Sequence, residues 1–273
     1  MIELGFEHLR SDVRTFLYWK KGISIVVMIV YIDDTLFCSL NKFLVDEVKF
    51  IFMKKWEYWD LGVPKEFLWI KICWNGQKIL LNQICCLEKI IDCCQLSFLK
   101  NTIHVCIMLD TYLDITYAVV MLSCHSANLS EEHSDKAQHI LWYLIGMQSY
   151  TLVYDRSSRL GIIACTDLDW ASNLAMKWSQ TRYFFKLANS IFSWRSHVQH
   201  TIVLSSTKVE YMALSDCFRQ TIWIWTLLTK LGYNLCPISI VGDNQGSIFM
   251  TFNPVTKLDQ NTLISDTTMF KRL

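Results

Sequence analysis

The sequence predicts an α/β fold of the α+β kind, with short antiparallel strands and amphipathic helices alternating along 273 residues. Three observations predict it. An apolar, β-branched run from Ile23 to Ile32 stops at Asp33-Asp34 and resumes as TLFCSL, which reads as strand, tight turn, strand. Asn75-Gly76 sits between LWIKICW and QKILLN, and Asn-Gly is the strongest short hairpin signal because both residues tolerate positive φ in a type I′ turn. Helical spacing then appears over 43–56, 87–99 and about 207–231, between these strand-like segments.

Composition narrows the class. The chain is 52% apolar and 19% charged, with a formal net charge of +1. Such a chain is not disordered, collagen-like or charge-driven, and its length suffices for a full core. The Ile23–Ile32 run is about half the roughly 20 residues a membrane-spanning helix needs, so no membrane partner is expected. Glu3, Glu7 and His8 interrupt any apolar leader near the start, and no signal peptide is expected. Eleven cysteines cannot all pair internally, which suits a reducing intracellular compartment, cytoplasmic or nuclear. Cys85-Cys86 and Cys93-Cys94 fall on one helical face and read as buried thiols before they read as a zinc site. His197 and His200 lack a second ligand pair nearby. Near-neutral charge means that nucleic acid would have to be met by local patches.

In order, residues 22–40 form the first hairpin and 43–56 a helix carrying Leu44, Val48, Ile51 and Phe52. The Asn-Gly hairpin and a helix over 87–99 follow. Residues 101–150 read as a helical connector, with helices through Ile115–Leu122 and from Ser130 to about Leu144, where Glu131 and Glu132 suit a helix start. Beyond it, GIIACT forms a strand ending in Asp167. Strands at 183–187 and 190–195 join through Ala188-Asn189, and a further strand fits 200–204. Thr207 and Glu210 have the spacing of a capping box before a long helix closed by Gly232. ISIVG is a strand ending at Asp243, followed by a helical pattern to about Phe252.

The most specific feature is Tyr31-Ile32-Asp33-Asp34. Adjacent carboxylates repel, and a hard cation such as Mg²⁺ relieves the repulsion, although two exposed acids in a turn are also ordinary. A Tyr-x-Asp-Asp between two apolar strands resembles the reverse transcriptase palm. The stretch LVDEVKFIFMKKWEYWDLGVPKEFLWIKICWNGQKILLNQ is similar to the segment after this motif in Pol polyproteins of copia-type (Ty1/copia) LTR retrotransposons. LDITYAVVMLSCHSANLSEEHSDKAQHILWYLIGM resembles that family's connection, and CTDLDWAS, LSSTKVEYMALS and VGDNQGSI resemble its ribonuclease H domain, all in family order.

The resemblance implies a layout of a partial reverse transcriptase over 1–105 (palm end with the YIDD hairpin, and a thumb-like part), a shortened connection over 106–157, and a ribonuclease H-like mixed-sheet domain over 158–273. It implies Mg²⁺, with Mn²⁺ as substitute, and an RNA–DNA hybrid or other nucleic acid as partner. In a ribonuclease H fold, carboxylates hold two metal ions that activate water and stabilise the leaving oxygen. Asp167, Glu210 and Asp243 match that set, with Asp266 as the nearest fourth acid. Each also has an ordinary structural role: Asp167 as a turn residue, Glu210 as a cap, Asp243 in an Asx turn with Asn244.

Departures from the family pattern accompany the match. The family's third polymerase carboxylate lies on an earlier strand than the point at which this sequence starts, so Asp33 and Asp34 alone are not expected to organise both ions. Trp69 and Arg182 stand where the family has Gly, Leu113 where it has Pro, and Lys71 and Lys208 where it has acids. If position 182 needs positive φ, Arg is strained there by roughly 1–2 kcal/mol. Two functions from different classes are therefore expected to compete: residual Mg²⁺-dependent cleavage of RNA in RNA–DNA hybrids, and a decayed relic with at most nucleic-acid binding. A host-recruited interaction protein has no specific sequence support.

Overall fold

Aliphatic and β-branched residues from Ser24 to Tyr31 form an inner strand of an antiparallel sheet, with Val26 and Met28 wholly buried on one face. A computed structural model describes residues 4–9, 12–20, 24–94, 111–123, 130–158, 161–169, 180–198, 206–233 and 237–242. The chain divides into two compact units, 1–68 with 222–236, and 69–221 with 237–273.

In the first unit the strand order is β1 (Phe6–His8), β2 (Thr15–Lys20), β3 (Ser24–Tyr31), β4 (Asp34–Cys38). Strands β1 and β2 are additions to the sequence expectation. Helix α1 (Lys42–Lys55) covers the sheet, as the spacing predicts. Asn41 starts it by accepting a hydrogen bond from the Leu44 amide at 3.4 Å, and Lys54 and Lys55 suit the negative end of its dipole. Its buried stripe, Leu44, Val48 and Phe52, meets Phe6, Val26 and Met28 in one cluster. Each such side chain contributes about 1.5–3 kcal/mol when buried. A two-residue strand, β5 (Glu66–Phe67), follows.

The second unit opens with β6 (Ile70–Asn75) and β7 (Lys78–Asn82), and β8 (Leu152–Asp155) pairs on the far side of β7. Asn75 pairs with Lys78, so the hairpin turn is Gly76-Gln77 and not Asn75-Gly76. Only Gly76 has positive φ (55°), the sign pattern of a type II′ turn; the expected type I′ turn needs it at both central residues. Strand β8, just past the helical connector expected over 101–150, is an addition to the sequence expectation. Helices α2 (Ile84–Cys94), α3 (Thr116–Ser123) and α4 (Glu131–Gly146) bury Leu87, Ile90, Val119, Ile140 and Leu144 against one another. Ser130 caps α4, its amide donating to His133 Nδ1 at 3.2 Å.

A third sheet has the order β11 (Ser190–Val198), β10 (Gln180–Leu187), β9 (Ile163–Asp169), β12 (Ser239–Val241). The first three are antiparallel and β12 runs parallel to β9. Ala188 and Asn189, both at positive φ, make the two-residue turn between β10 and β11. Tyr154 of β8 donates to the Ile191 carbonyl of β11 at 2.6 Å. Helix α5 (Ser206–Lys230) carries buried Tyr211, Leu214, Cys217 and Phe218 in its second-unit part. At its far end, within the first unit, Gly232 (φ 81°) closes the helix. No helix among the described residues is long and apolar enough to cross a membrane. The expected strand at 200–204 and helix to Phe252 lie outside the described residues, as does the end of the 87–99 helix beyond Cys94.

The two positions where the resemblance implies Gly behave differently. Arg182 is interior to β10 and has no positive φ, so the expected strain is absent. Trp69 sits at φ 65°, which costs a non-glycine residue about 1–2 kcal/mol. Its ring lies 4.0 Å from Lys89 Nζ, a contact worth about 0.5–1 kcal/mol when exposed. Trp69→Gly is therefore expected to stabilise the chain by about 0.5–1 kcal/mol, read as a higher denaturant midpoint. A lower midpoint would show that the cation–π contact outweighs the strain.

Candidate functional site

The YIDD hairpin places its two carboxylates on different kinds of backbone. Tyr31 pairs with Asp34, so the turn consists of Ile32 and Asp33, and Asp34 is the first residue of β4 rather than part of the tip. Ile32 has φ 52° and is 80% exposed. A β-branched residue there is a genuine outlier, and such strain clusters at functional sites. Asp33 and Asp34 are both exposed. They border a cavity of about 410 Å³ whose walls include Phe52, Tyr58, Trp59 and Asp60. Asp60 accepts from Lys49 Nζ at 2.8 Å and from the Gly62 amide at 2.9 Å. The Lys49 hydrogen bond, then that of Gly62, holds its carboxyl below the usual range. Arg14 stacks over the Tyr31 ring at 4.6 Å, beside the motif.

In the second unit, β9 continues past Asp167 to Asp169, so Asp167 is inside the strand and not at its end. Its register partner on β10 is Arg182, which in turn pairs with Ser196 on β11. Glu210 is the fifth residue of α5 and half-buried. Thr207 is already helical, one residue into α5, and so is not its cap. Strand β12 leaves the sheet through Gly242, where an added Cβ would lie 3.1 Å from Thr166 Oγ1. Thr166 also donates to the Val241 carbonyl at 3.5 Å, so the exit of β12 closes on the residue before Asp167. Asp243, Asp266 and His200 lie outside the described residues.

Hard carboxylate oxygens are the right donors for Mg²⁺. Among the described residues, however, no group of three or more His, Cys, Asp or Glu side chains converges to hold a metal. Asp33 and Asp34 bring two carboxylates to the turn and the start of β4. Cys86 is buried in the apolar cluster of α2, as a packed thiol. Burial pushes the Cys217 thiol up to about 12, leaving it protonated and inert.

One constellation is not visible in the sequence. His197 Nε2 on β11 lies 3.1 Å from Asp216 Oδ2 on α5, and Arg219 binds the other carboxylate oxygen. The Asp216–Arg219 spacing shows in sequence, but His197 is brought in only by the fold. Burial raises the Asp216 pKa most strongly, yet the His197 hydrogen bond and the Arg219 charge together hold it below the usual range. With its folded value below the unfolded one, Asp216 stabilises the fold fully above about pH 4. That contribution is lost as pH falls through the folded value. Acid titration followed by circular dichroism should show this loss, and Asp216→Asn should remove its share. An unchanged acid limb in the variant would refute the assignment.

No family model matches the chain, and no solved structure gives a significant match. Curated proteins do match. The chain is 26% identical to the retrovirus-related Pol polyprotein from transposon RE1 of Arabidopsis thaliana, over 93% of this chain and 19% of that protein. It is 24% identical to that from transposon TNT 1-94 of Nicotiana tabacum, over 90% of this chain and 21% of that protein. A 118-residue stretch is 35% identical to secreted RxLR effector protein 161 of Plasmopara viticola, covering 43% of this chain and 83% of that protein. Over 90–93% of its length the chain is thus similar, at 24–27% identity, to copia-type retrotransposon Pol polyproteins. It spans about a fifth of the length of the Pol polyproteins it matches.

Proposed function

We propose that the chain acts on RNA–DNA hybrids through its C-terminal part, as a ribonuclease H-like domain over 158–273 that cleaves the RNA strand with Mg²⁺ or Mn²⁺. In this reading residues 1–105 correspond to a partial reverse transcriptase palm and thumb, and 106–157 to the connection between the two. The observation that carries it is the third sheet. An antiparallel meander, β9-β10-β11, has β12 parallel to β9 and is followed by a long helix, with Asp167 on β9 and Glu210 on α5. Val241 pairs with Cys165, and Asp243 is as many residues past Val241 as Asp167 is past Cys165.

Asp167, Glu210 and Asp243 would hold the metal, with Asp266 as a fourth carboxylate. When bound, the metal supplies an activated water and charge stabilisation for the leaving oxygen. The chain's own part is to hold carboxylates on rigid backbone, Asp167 on β9 and Glu210 on α5. Asp33 and Asp34 keep the polymerase motif without a third described ligand, and polymerisation by this chain alone is not proposed. The partner is nucleic acid, in the cytoplasm or nucleus.

The full chain should cut a labelled RNA–DNA hybrid with Mg²⁺, and Asp167→Asn should abolish the cutting. Cutting no greater than that of the Asp167→Asn protein would remove the enzymatic claim. A second reading, a non-catalytic relic that at most binds nucleic acid, is favoured by Trp69 at positive φ and by a cation in register with Asp167. Hybrid retention without cutting is its expected signature.

A further inference from the structure

We propose that the cavity beside the YIDD turn is a binding site for an organic ammonium ion, an amine carried on an aromatic or aliphatic stem. The site lies within residues 33–67 of the first unit, so the proposal is independent of hybrid cleavage by residues 158–273. Its volume of about 410 Å³ falls within the roughly 300–1,000 Å³ of small-molecule sites. Phe52, Tyr58 and Trp59 supply aromatic wall, and the rings of Phe52 and Tyr58 pack edge to face with centroids 5.0 Å apart. Trp59, Leu61 and Val63, alternate residues of one segment, line it while 90%, 92% and 68% exposed. Apolar side chains left that open around a concavity mark a ligand surface. Thr35, also in the wall, has a buried hydroxyl without a hydrogen-bond partner. A buried polar group left unpaired is costly, and a ligand N–H satisfies it.

Charge selects the class of ligand. The ion pair of Lys49 with Asp60, at 2.8 Å, neutralises one acid and one base of the wall. It leaves Asp33, Asp34 and Glu66 against Lys65, so the site is net negative and disfavours anions. Mg²⁺ demands near-octahedral oxygen geometry and dehydrates reluctantly, and the aromatic faces give it nothing to coordinate. An organic ammonium suits both parts of the wall. Its charged head meets the carboxylates at the turn, and one of its N–H groups donates to the Thr35 hydroxyl. The faces of Trp59 and Tyr58 attract the same cation through the ring quadrupole, while the stem covers the apolar wall.

The test is calorimetric titration of the full chain with phenethylammonium, 2-phenylethanol and 3-phenylpropionate, which share a ring and differ in charge. Phenethylammonium should bind saturably and about tenfold or more tightly than the alcohol, and the carboxylate should not bind. Trp59→Ala should weaken the amine about threefold to tenfold, and Asp33→Asn combined with Glu66→Gln should do the same. All three side chains are exposed, so these variants are expected to keep the fold. Equal binding of amine and alcohol, unchanged affinity in Trp59→Ala, or no uptake of the amine at millimolar concentration would overturn the proposal. Displacement of the bound amine by equimolar Mg²⁺ would make the turn a metal site and overturn it as well.

Discussion

Phe52→Ala is expected to cost the first unit about 3–5 kcal/mol, a large share of the roughly 5–15 kcal/mol that stabilises a typical domain. Phe52 is 2% exposed and is the third member of the buried stripe of α1. Its ring centroid lies 5.5 Å from that of Phe37, 4.7 Å from Trp56 and 5.0 Å from Tyr58. Truncation removes all of these contacts at once, and a helix that ends three residues later has little room to collapse into the space. Alanine is the best helix former, so the loss would report packing rather than helix propensity. Phe52 also lines the cavity beside Asp33 and Asp34, which couples core and turn. Hydrogen exchange at the β3 amides measures the effect directly. Protection that survives the substitution would mean that the sheet does not depend on this cluster.

Phe185→Ala should be comparably severe in the second unit, again about 3–5 kcal/mol. The side chain is wholly buried in β10, with ring neighbours Tyr183 at 5.9 Å and Phe192 at 6.1 Å. It pairs in register with Ala164 on β9, a residue without bulk to fill the space left behind. Exchange protection across β9, β10 and β11 should drop together, and hybrid cleavage should disappear with it. Asp167→Asn separates the two effects, because it should stop cleavage while leaving that protection in place. Retained protection in Phe185→Ala would show that the sheet is held from elsewhere.

The parts of the fold that were legible in the sequence are those set by local chemistry. Ser24–Tyr31 and α1 follow from apolar periodicity, and the Ala188-Asn189 turn from the short polar break between two strands. Where pairing decides, local chemistry misleads. Asn75-Gly76 reads as a turn, but Asn75 has a cross-strand partner in Lys78 and joins the strand. Asp33-Asp34 reads as a tip, but Tyr31 claims Asp34 for β4. Leu152–Asp155 is too short to stand out and becomes a strand only because β7 offers it an edge. Arg182 looked like a misplaced turn residue because the family has Gly there, whereas eight residues from Gln180 to Leu187 form one strand. His197 and Asp216 meet only through the docking of α5 beside β11. At the candidate metal site, the residue types were legible, and so was their order. Their register, with a cation opposite Asp167, was not.

The YIDD turn has a colloidal consequence as well. Strand β4 is an edge of its sheet, and an exposed edge is a template for pairing with another chain. Within Asp34–Cys38 the sole charged residue is Asp34, with Asp33 adjacent in the turn and exposed Leu40 just beyond. Charges on an edge discourage strand addition. The carboxylate pair that would serve chemistry therefore also serves as a gatekeeper, and neutralising both acids strips a hydrophobic edge of its protection against self-association.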